Sequence, residues 1–250
     1  MNKTDIIHRL LDPTPLTDEE VQQQVQSCFI ETGTFINFHH PLYVGMYLEL
    51  PELSDDAGSE EQAKIRESMQ VEPKLKAKHQ YINEKDRGLE GKLVMFERAY
   101  RSEVATILLL EHRLADEMST EELRSSFLWL WTDTEFPSRI HNTWLHLFHS
   151  LRDRLQPPFG DLLPPDTSGV VTVHRGLHAE DPDEITDDGL SWTTSRDIAE
   201  WYSRRLLEDD ATPIVLTGEV AWGDVWFATN QRSEMEIVSD AVTLKEVGID

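Results

Sequence analysis

The chain has 250 residues, 39% of them hydrophobic, and its 23 Lys and Arg against 47 Asp and Glu leave a net charge of −24. This length suffices for one large domain or two small ones. Seven Trp and nine Phe exclude an extended disordered chain, because such side chains need a core. The strong acidity and the lack of a basic stripe argue against general binding of nucleic acid, since phosphate backbones would be repelled.

The single cysteine, Cys28, excludes an intramolecular disulfide and a Cys-rich metal centre, and it fits the reducing cytoplasm. No run of about 18 apolar residues predicts a membrane-spanning helix. The N-terminus also lacks the apolar core of a secretory signal. We therefore expect a cytoplasmic protein with a protein partner, no membrane partner and no metal.

The first two thirds of the chain have the patterns of helices. Thr17 and Ser119 each begin a capping box, with Glu20 and Glu122 three residues on. Apolar residues at three- and four-residue steps predict one long helix over 92–118, and a further helix is expected over 138–155. Residues 51–61 read as a loop. We assign residues 1–91 to a helical or irregular region of unknown role and residues 92–155 to the helices of a second domain, 92–250.

A stretch rich in Pro and Gly, residues 156–169, predicts a boundary or a stiff connector. Beyond it, period-two patterns predict short strands over 170–175, 214–220, 225–228, 234–238 and 241–247. One helix over 195–207 interrupts them, with Ser195 as its N-cap. The chain is therefore expected to be α+β, with its strand-rich part at 170–250.

Three short motifs in this part of the chain carry candidate chemistry. Arg175 and Gly176 end the first strand, Ser191–Thr193 leads into the helix, and Glu234 and Glu236 open a later strand. Because strands alternate their faces, the two glutamates should point the same way. Taken singly, the motifs have ordinary explanations: a surface arginine, a strand before a helix cap, and the solvated face of an edge strand.

Taken together and in this order, the motifs resemble those of the Arg–Ser–Glu class of ADP-ribosyltransferases. In that family an arginine ends the first core strand, Ser-Thr-Ser ends a later strand, and Glu-any-Glu opens another. Trp192 and Thr193 depart from the family pattern, so only Ser191 is a literal match in the middle motif. The resemblance implies a pair of packed antiparallel sheets behind a helical N-terminal portion, with NAD in the cleft between the sheets. It also suggests a stand-alone phage or bacterial member, toxin-like in its action.

The resemblance assigns roles to individual residues. NAD would be held by a set of five residues: Arg175, Gly176, Ser191, Trp192 and Thr193. Glu236 would act through a ribose hydroxyl to stabilise the oxocarbenium-like cation that forms when nicotinamide leaves, and Ser191 would orient its carboxylate. Glu234 would orient or deprotonate the acceptor.

The resemblance also implies a loop that recognises the protein target, carrying Trp226, Phe227 and Arg232. The expected activity is transfer of ADP-ribose from NAD to a protein side chain, foremost an arginine, of a host or competitor protein. Two alternatives stay open. One is hydrolysis of NAD at the same residues, and the other is a non-enzymatic acidic protein that mimics nucleic acid.

Overall fold

The computed structural model describes residues 3–32, 35–40, 42–43, 47–49, 71–84, 87–134, 140–162, 169–179, 189–205 and 211–249. The chain divides into two compact units, Met1–His112 and Arg113–Asp250. The division lies later in the chain than the boundary after residue 91 that the sequence suggested. No helix within the described ranges is long and apolar enough to cross a lipid bilayer.

The first unit combines helices with a small antiparallel sheet. In the described part of this unit the α-helices are Lys3–Leu11, Asp18–Cys28, Val71–Ile82, Leu89–Leu93 and Arg101–Thr106. Its strands β1 (Phe29–Thr32), β2 (Phe35–His39) and β3 (Tyr47–Glu49) pair in that order. The first predicted capping box is confirmed, because Thr17 Oγ1 accepts from the Glu20 amide at 3.2 Å and Glu20 accepts from the Thr17 amide at 2.8 Å. The sequence did not predict this sheet, and the loop predicted at 51–61 lies outside the described residues.

The single long helix predicted over residues 92–118 is wrong. The segment instead contains a 3₁₀ turn at Arg98–Tyr100, the helix Arg101–Thr106, a π-helical turn at Ile107–Glu111 and a short helix at Leu114–Glu117. Phe96 forms an isolated β-bridge with Tyr43, and both side chains are fully buried. Arg113 has a left-handed φ of 57°. Both conformations interrupt helical hydrogen bonding, so tertiary packing outweighs the apolar period here.

Two helices of the second unit carry an aromatic cluster. They are Thr120–Asp133, which begins at the predicted Ser119 capping box, and His141–Leu155. Residue 138, where the second helix was expected to begin, lies outside the described residues. The cluster comprises Phe127, Trp131, Trp144 and Phe148 from the helices, Phe227 from the sheet and Trp226 just before it. This packing fixes one face of the sheet against the helices.

The described strands of the second unit are β4 (Phe159–Gly160), β5 (Val170–Ala179), β6 (Ser191–Thr193), β7 (Thr212–Ala221), β8 (Phe227–Thr229), β9 (Glu236–Val238) and β10 (Thr243–Ile249). They form one seven-stranded mixed sheet in the order β10-β7-β5-β6-β9-β8-β4. Only β4 and β8 pair in parallel. The mixed α and β character is as predicted, and hydrogen bonds connect the described strands of this unit in one sheet.

Two details qualify the predicted organisation of this unit. The junction between β5 and β6 consists of one residue pair, His174 opposite Thr193. The Pro-rich stretch 156–169 is not only a connector, because Phe159–Gly160 forms the edge strand β4. Gly160 makes this pairing possible, since its φ is 123° and an added Cβ would stand 1.9 Å from the Ala228 carbonyl oxygen.

The helix Arg196–Arg204 packs closely on β5. Ser195 caps it as predicted, by accepting a hydrogen bond from the Ile198 amide. Gly176 on β5 lies under the helix, where an added Cβ would stand 1.8 Å from the Ala199 carbonyl oxygen and 2.6 Å from the Ser203 amide nitrogen. The glycine therefore sets how close helix and sheet can come.

Replacing this glycine tests the packing. Gly176→Ala should force the helix off β5 and lower the free energy of unfolding by about 1–3 kcal/mol, the usual range for overpacking. Gly223→Ala is the matched control, because nothing lies within 4 Å of a Cβ added there. Denaturant unfolding of both variants measures the difference, and equal stabilities would contradict the close approach.

Candidate active site

Glu236 lies at the centre of a hydrogen-bonded cluster in the second unit. It begins β9, which runs between β6 and β8, and the residue is only 2% exposed. Trp131 Nε1 donates to Glu236 Oε1 at 2.9 Å, and Ser191 Oγ donates to the same oxygen at 2.5 Å. The alternative of a solvated edge-strand glutamate is therefore wrong for Glu236. A buried carboxylate is tolerated where hydrogen bonds and a positive charge compensate it.

The register of the sheet explains why Ser191 reaches Glu236. Thr193 on β6 lies opposite Glu236, and Ser191 lies opposite Val238. Ser191 and Glu236 are thus diagonal neighbours on one face of an antiparallel pair, within side-chain reach of each other. The hydrogen bond that the resemblance implied between these two residues is present.

Arg232 joins the two glutamates of the motif. Its Nη2 atom lies 3.1 Å from Glu236 Oε2 and 3.2 Å from Glu234 Oε2. The Arg232 side chain is 34% exposed and that of Glu236 only 3%, so the guanidinium lies on the solvent side of the buried carboxylate. One cation is therefore shared between the two carboxylates and partly covers Glu236.

Glu234 sits in a tight turn rather than in a strand. The predicted strand 234–238 begins only at Glu236, and the residues on either side of Glu234, Ser233 and Met235, have left-handed φ values of 59° and 49°. Residues other than glycine adopt this region at a cost of about 1–3 kcal/mol each, and such conformations cluster at functional sites. The two carboxylates share Arg232 because of this turn, and not because of strand alternation as the sequence suggested.

Hydrogen bonds from neighbouring segments hold the turn. Thr193 Oγ1 donates to the Glu234 carbonyl oxygen at 2.7 Å, and the Thr194 amide donates to that of Met235 at 3.1 Å. The Met235 amide in turn donates to Asn230 Oδ1 at 3.1 Å. The end of β6 therefore fixes the segment that carries Glu234.

Tyr202 provides a second partner for Glu234. Its hydroxyl donates to Glu234 Oε1 at 2.5 Å from the helix Arg196–Arg204. Burial and, next, the hydrogen bond to Glu234 raise the pKa of Tyr202 to about 12. The hydroxyl is therefore protonated at neutral pH and acts as a donor, leaving the proton-accepting role to the carboxylate.

Arg175 lies beside the start of β6. It was expected at the end of a strand, but β5 continues to Ala179 and places Arg175 in mid-strand. Its guanidinium packs on Gly189, where an added Cβ would stand 0.9 Å from Nη1. Gly189 precedes Ser191 by two residues. Because Gly189 has no side chain, the Arg175 guanidinium can lie next to the segment that carries the serine. The adjacent His174 pairs with Thr217 Oγ1 at 3.1 Å.

Three residues of the predicted NAD-holding set also have structural roles. Trp192 is 3% exposed, belongs to the core cluster of the sheet and donates from Nε1 to the Gly189 carbonyl oxygen. Thr193 is 6% exposed and ties down the Glu234 turn. Gly176 lies under the helix Arg196–Arg204. The side chain of Trp192 is therefore packed in the core and is not displayed to a ligand, whereas the assignments of Gly176 and Thr193 to NAD binding stay predictions.

The predicted target-recognition loop needs a further correction. Trp226 and Phe227 are 1% and 0% exposed and belong to the aromatic cluster, and Phe227 is the first residue of β8. Buried side chains cannot contact a partner protein in this conformation. Arg232, predicted with them, is partly exposed but is paired with Glu234 and Glu236.

The sequence interpretation missed Trp131, Tyr202 and Gly189. Trp131 had a detectable signal: it lies four residues after Phe127 on the inner face of its helix, and a buried indole N–H needs an acceptor. The apolar pattern of the helix that carries Tyr202 indicates no polar partner for it. No pattern indicates that Gly189 faces Arg175, because that contact depends on how β5 and β6 meet.

In the part of the chain that the structure describes, no three His, Cys, Asp or Glu side chains come close enough to hold a metal ion. Comparisons with protein-family models, curated proteins and solved structures return no match. The geometry around Glu236 is therefore the main indication of function.

The contribution of the Trp131–Glu236 hydrogen bond can be tested by measuring the free energy of unfolding of variants. Trp131→Phe keeps a ring in the aromatic cluster but removes the donor to a buried carboxylate, so the free energy of unfolding should fall by about 1–3 kcal/mol beyond the loss of ring area. Trp144→Phe is the matched control, because both indoles are fully buried and Trp144 Nε1 has no hydrogen-bond partner among the described residues.

Combining each change with Glu236→Gln completes the test in denaturant unfolding. The losses in free energy of unfolding caused by Trp131→Phe and Glu236→Gln should be coupled. Those caused by Trp144→Phe and Glu236→Gln should be closer to additive. Equal coupling in the two cycles would show that the indole N–H contributes nothing specific to Glu236.

Proposed function

We propose that the protein cleaves NAD and transfers its ADP-ribose to a protein side chain, with Glu236 and Glu234 as the reacting carboxylates. The observation that carries the proposal is the buried Glu236 carboxylate, held by Trp131, Ser191 and Arg232. A structural glutamate on a sheet is usually solvated, and here several parts of the chain converge to keep one ionisable group in a fixed place. Convergence of this kind is typical of catalytic carboxylates.

The hydrogen-bond count of Glu236 agrees with this role. A carboxylate has about four lone-pair sites. The described residues take two on Oε1 and one on Oε2, which leaves a position on Oε2 for a ligand hydroxyl. Since Arg232 lies on the solvent side of Oε2, its side chain must move aside for a ribose to approach.

The proposed reaction needs no group beyond NAD and the acceptor. The bond between ribose C1′ and the nicotinamide nitrogen breaks, and its electron pair leaves with neutral nicotinamide. Glu236 stabilises the cationic C1′ through a ribose hydroxyl, as fixed carboxylates do in glycoside cleavage. The acceptor atom then bonds to C1′ and gives its proton to Glu234.

Arg175 is the residue that we propose for the NAD pyrophosphate. A guanidinium offers paired donors that match phosphate oxygens. Its position against Gly189 puts it beside the segment that carries Ser191. The pair of sheets typical of the transferase fold also remains a proposal, supported by the narrow β5–β6 junction of one residue pair.

The alternatives differ in what they require of Glu236. An acidic mimic of nucleic acid acts through exposed carboxylates, and its interactions would not depend on a glutamate that is 2% exposed. NAD hydrolysis uses the same carboxylates with water as the acceptor, so the products must decide between hydrolysis and transfer.

The test measures nicotinamide release and transfer of labelled ADP-ribose to proteins of a bacterial lysate. Glu236→Gln should lower both rates by about 100-fold or more, because it removes the charge that stabilises the developing cation. Arg175→Ala should lower both through weaker NAD binding. Glu234→Gln should lower transfer by about 100-fold and affect nicotinamide release less, since it removes only the proton acceptor.

Glu219→Gln is the control for loss of a carboxylate, because Glu219 lies on β7 and pairs with Lys245. Full activity of Glu236→Gln would overturn the assignment. Nicotinamide release without labelled protein would indicate hydrolysis. Neither product from the wild-type protein would favour the acidic-mimic alternative.

A further inference from the structure

A groove of about 290 Å³ opens beside Glu234 on the second unit. One wall is the helix Arg196–Arg204, through Asp197, Trp201 and Tyr202, and the other is the turn 232–234. The proposed reaction leaves this groove without a role. Its lining nevertheless includes the carboxylate that we propose as the proton acceptor, so a molecule bound there would lie next to the reacting centre.

Trp201 is the most unusual residue of the groove. It is 57% exposed, whereas Trp131, Trp144 and Trp226 are each 1% exposed or less. Its ring meets that of Tyr202 edge to face, with centroids 4.9 Å apart. An indole left in solvent beside a cleft is typical of a binding surface rather than of a folding core.

The rings of Trp201 and Tyr202 already contact a guanidinium group of the chain itself. The guanidinium carbon of Arg205 lies 5.1 Å from the Trp201 ring centroid and 5.9 Å from that of Tyr202, within the range of cation–π attraction. Two acidic residues, Asp197 and Glu234, also line the groove, and the single cation of its lining, Arg232, is paired with the glutamates. Aromatic faces beside carboxylates suit a flat cationic group.

We infer that this groove is the acceptor subsite, in which Trp201 stacks on the guanidinium of a target arginine and Asp197 attracts its charge. The inference rests on the proposed function. A guanidinium nitrogen held there can reach C1′ of the ribose, form the new bond and pass its proton to Glu234, while nicotinamide leaves with the electron pair of the broken bond. Trp201 and Asp197 are therefore determinants of acceptor specificity.

The test uses agmatine, a small alkylguanidine, as the acceptor and NAD as the donor. Trp201→Ala and Asp197→Asn should each raise the KM for agmatine about tenfold and shift the products from ADP-ribosylated agmatine to free ADP-ribose. Trp201→Phe should restore most of the transfer, because it keeps an aromatic face. Glu200→Gln is the charge control, since it removes a carboxylate of the same helix that pairs with Arg196 outside the groove.

Calorimetric titration of agmatine into each protein separates failure of the groove from failure of the proposed function. Agmatine binding that is lost in Trp201→Ala, in a protein that never cleaves NAD, would uphold guanidinium binding in the groove but overturn both the transferase and the role of the groove as its acceptor subsite. NAD cleavage with a wild-type KM for agmatine in both groove variants would overturn the subsite alone. A wild-type protein that neither binds agmatine nor uses it as an acceptor also overturns the subsite.

Discussion

The second unit depends on one buried negative charge, the carboxylate of Glu236. Its partners come from three different parts of the chain: Trp131 from a helix 105 residues upstream, Ser191 from β6, and Arg232 from the turn before β9. A buried carboxylate without such partners would be strongly destabilising. The aromatic cluster that fixes Trp131 and the register that places Ser191 are therefore parts of the same arrangement, since each supplies a donor that the charge requires.

Local patterns in the sequence predicted the helix caps and strand segments, which depend mainly on neighbouring residues. Both capping boxes, the N-cap Ser195 and the strand segments of the second unit are present, because each depends on residues close together in the chain. The Ser191–Glu236 bond was reached only through the family resemblance, and the sheet register explains it. Other contacts, such as Trp131 with Glu236 and Arg175 with Gly189, join distant segments whose meeting no local pattern encodes.

The wrong predictions have a common physical origin. The apolar period over residues 92–118 carried no sign of the Tyr43–Phe96 bridge. The family resemblance placed Trp226 and Phe227 on an exposed loop, although the period-two pattern predicted a strand there, and both side chains pack in the aromatic cluster. In each case burial was decided by a partner far away in sequence. Strand alternation likewise failed for Glu234, because two left-handed residues replace the strand at that point.

The left-handed residues on either side of Glu234 strain the backbone and, by doing so, set the position of the Glu234 carboxylate. Ser233 and Met235 hold conformations that cost about 1–3 kcal/mol each, and β6 compensates through Thr193 and Thr194. A regular strand would provide hydrogen bonds for the same backbone groups without this cost in free energy. It would not, however, present Glu234 both to Arg232 and to Tyr202 on the neighbouring helix. The turn therefore places the Glu234 carboxylate between the buried Glu236 and the open groove, which is the placement that the proposed role of Glu234 toward an incoming acceptor requires.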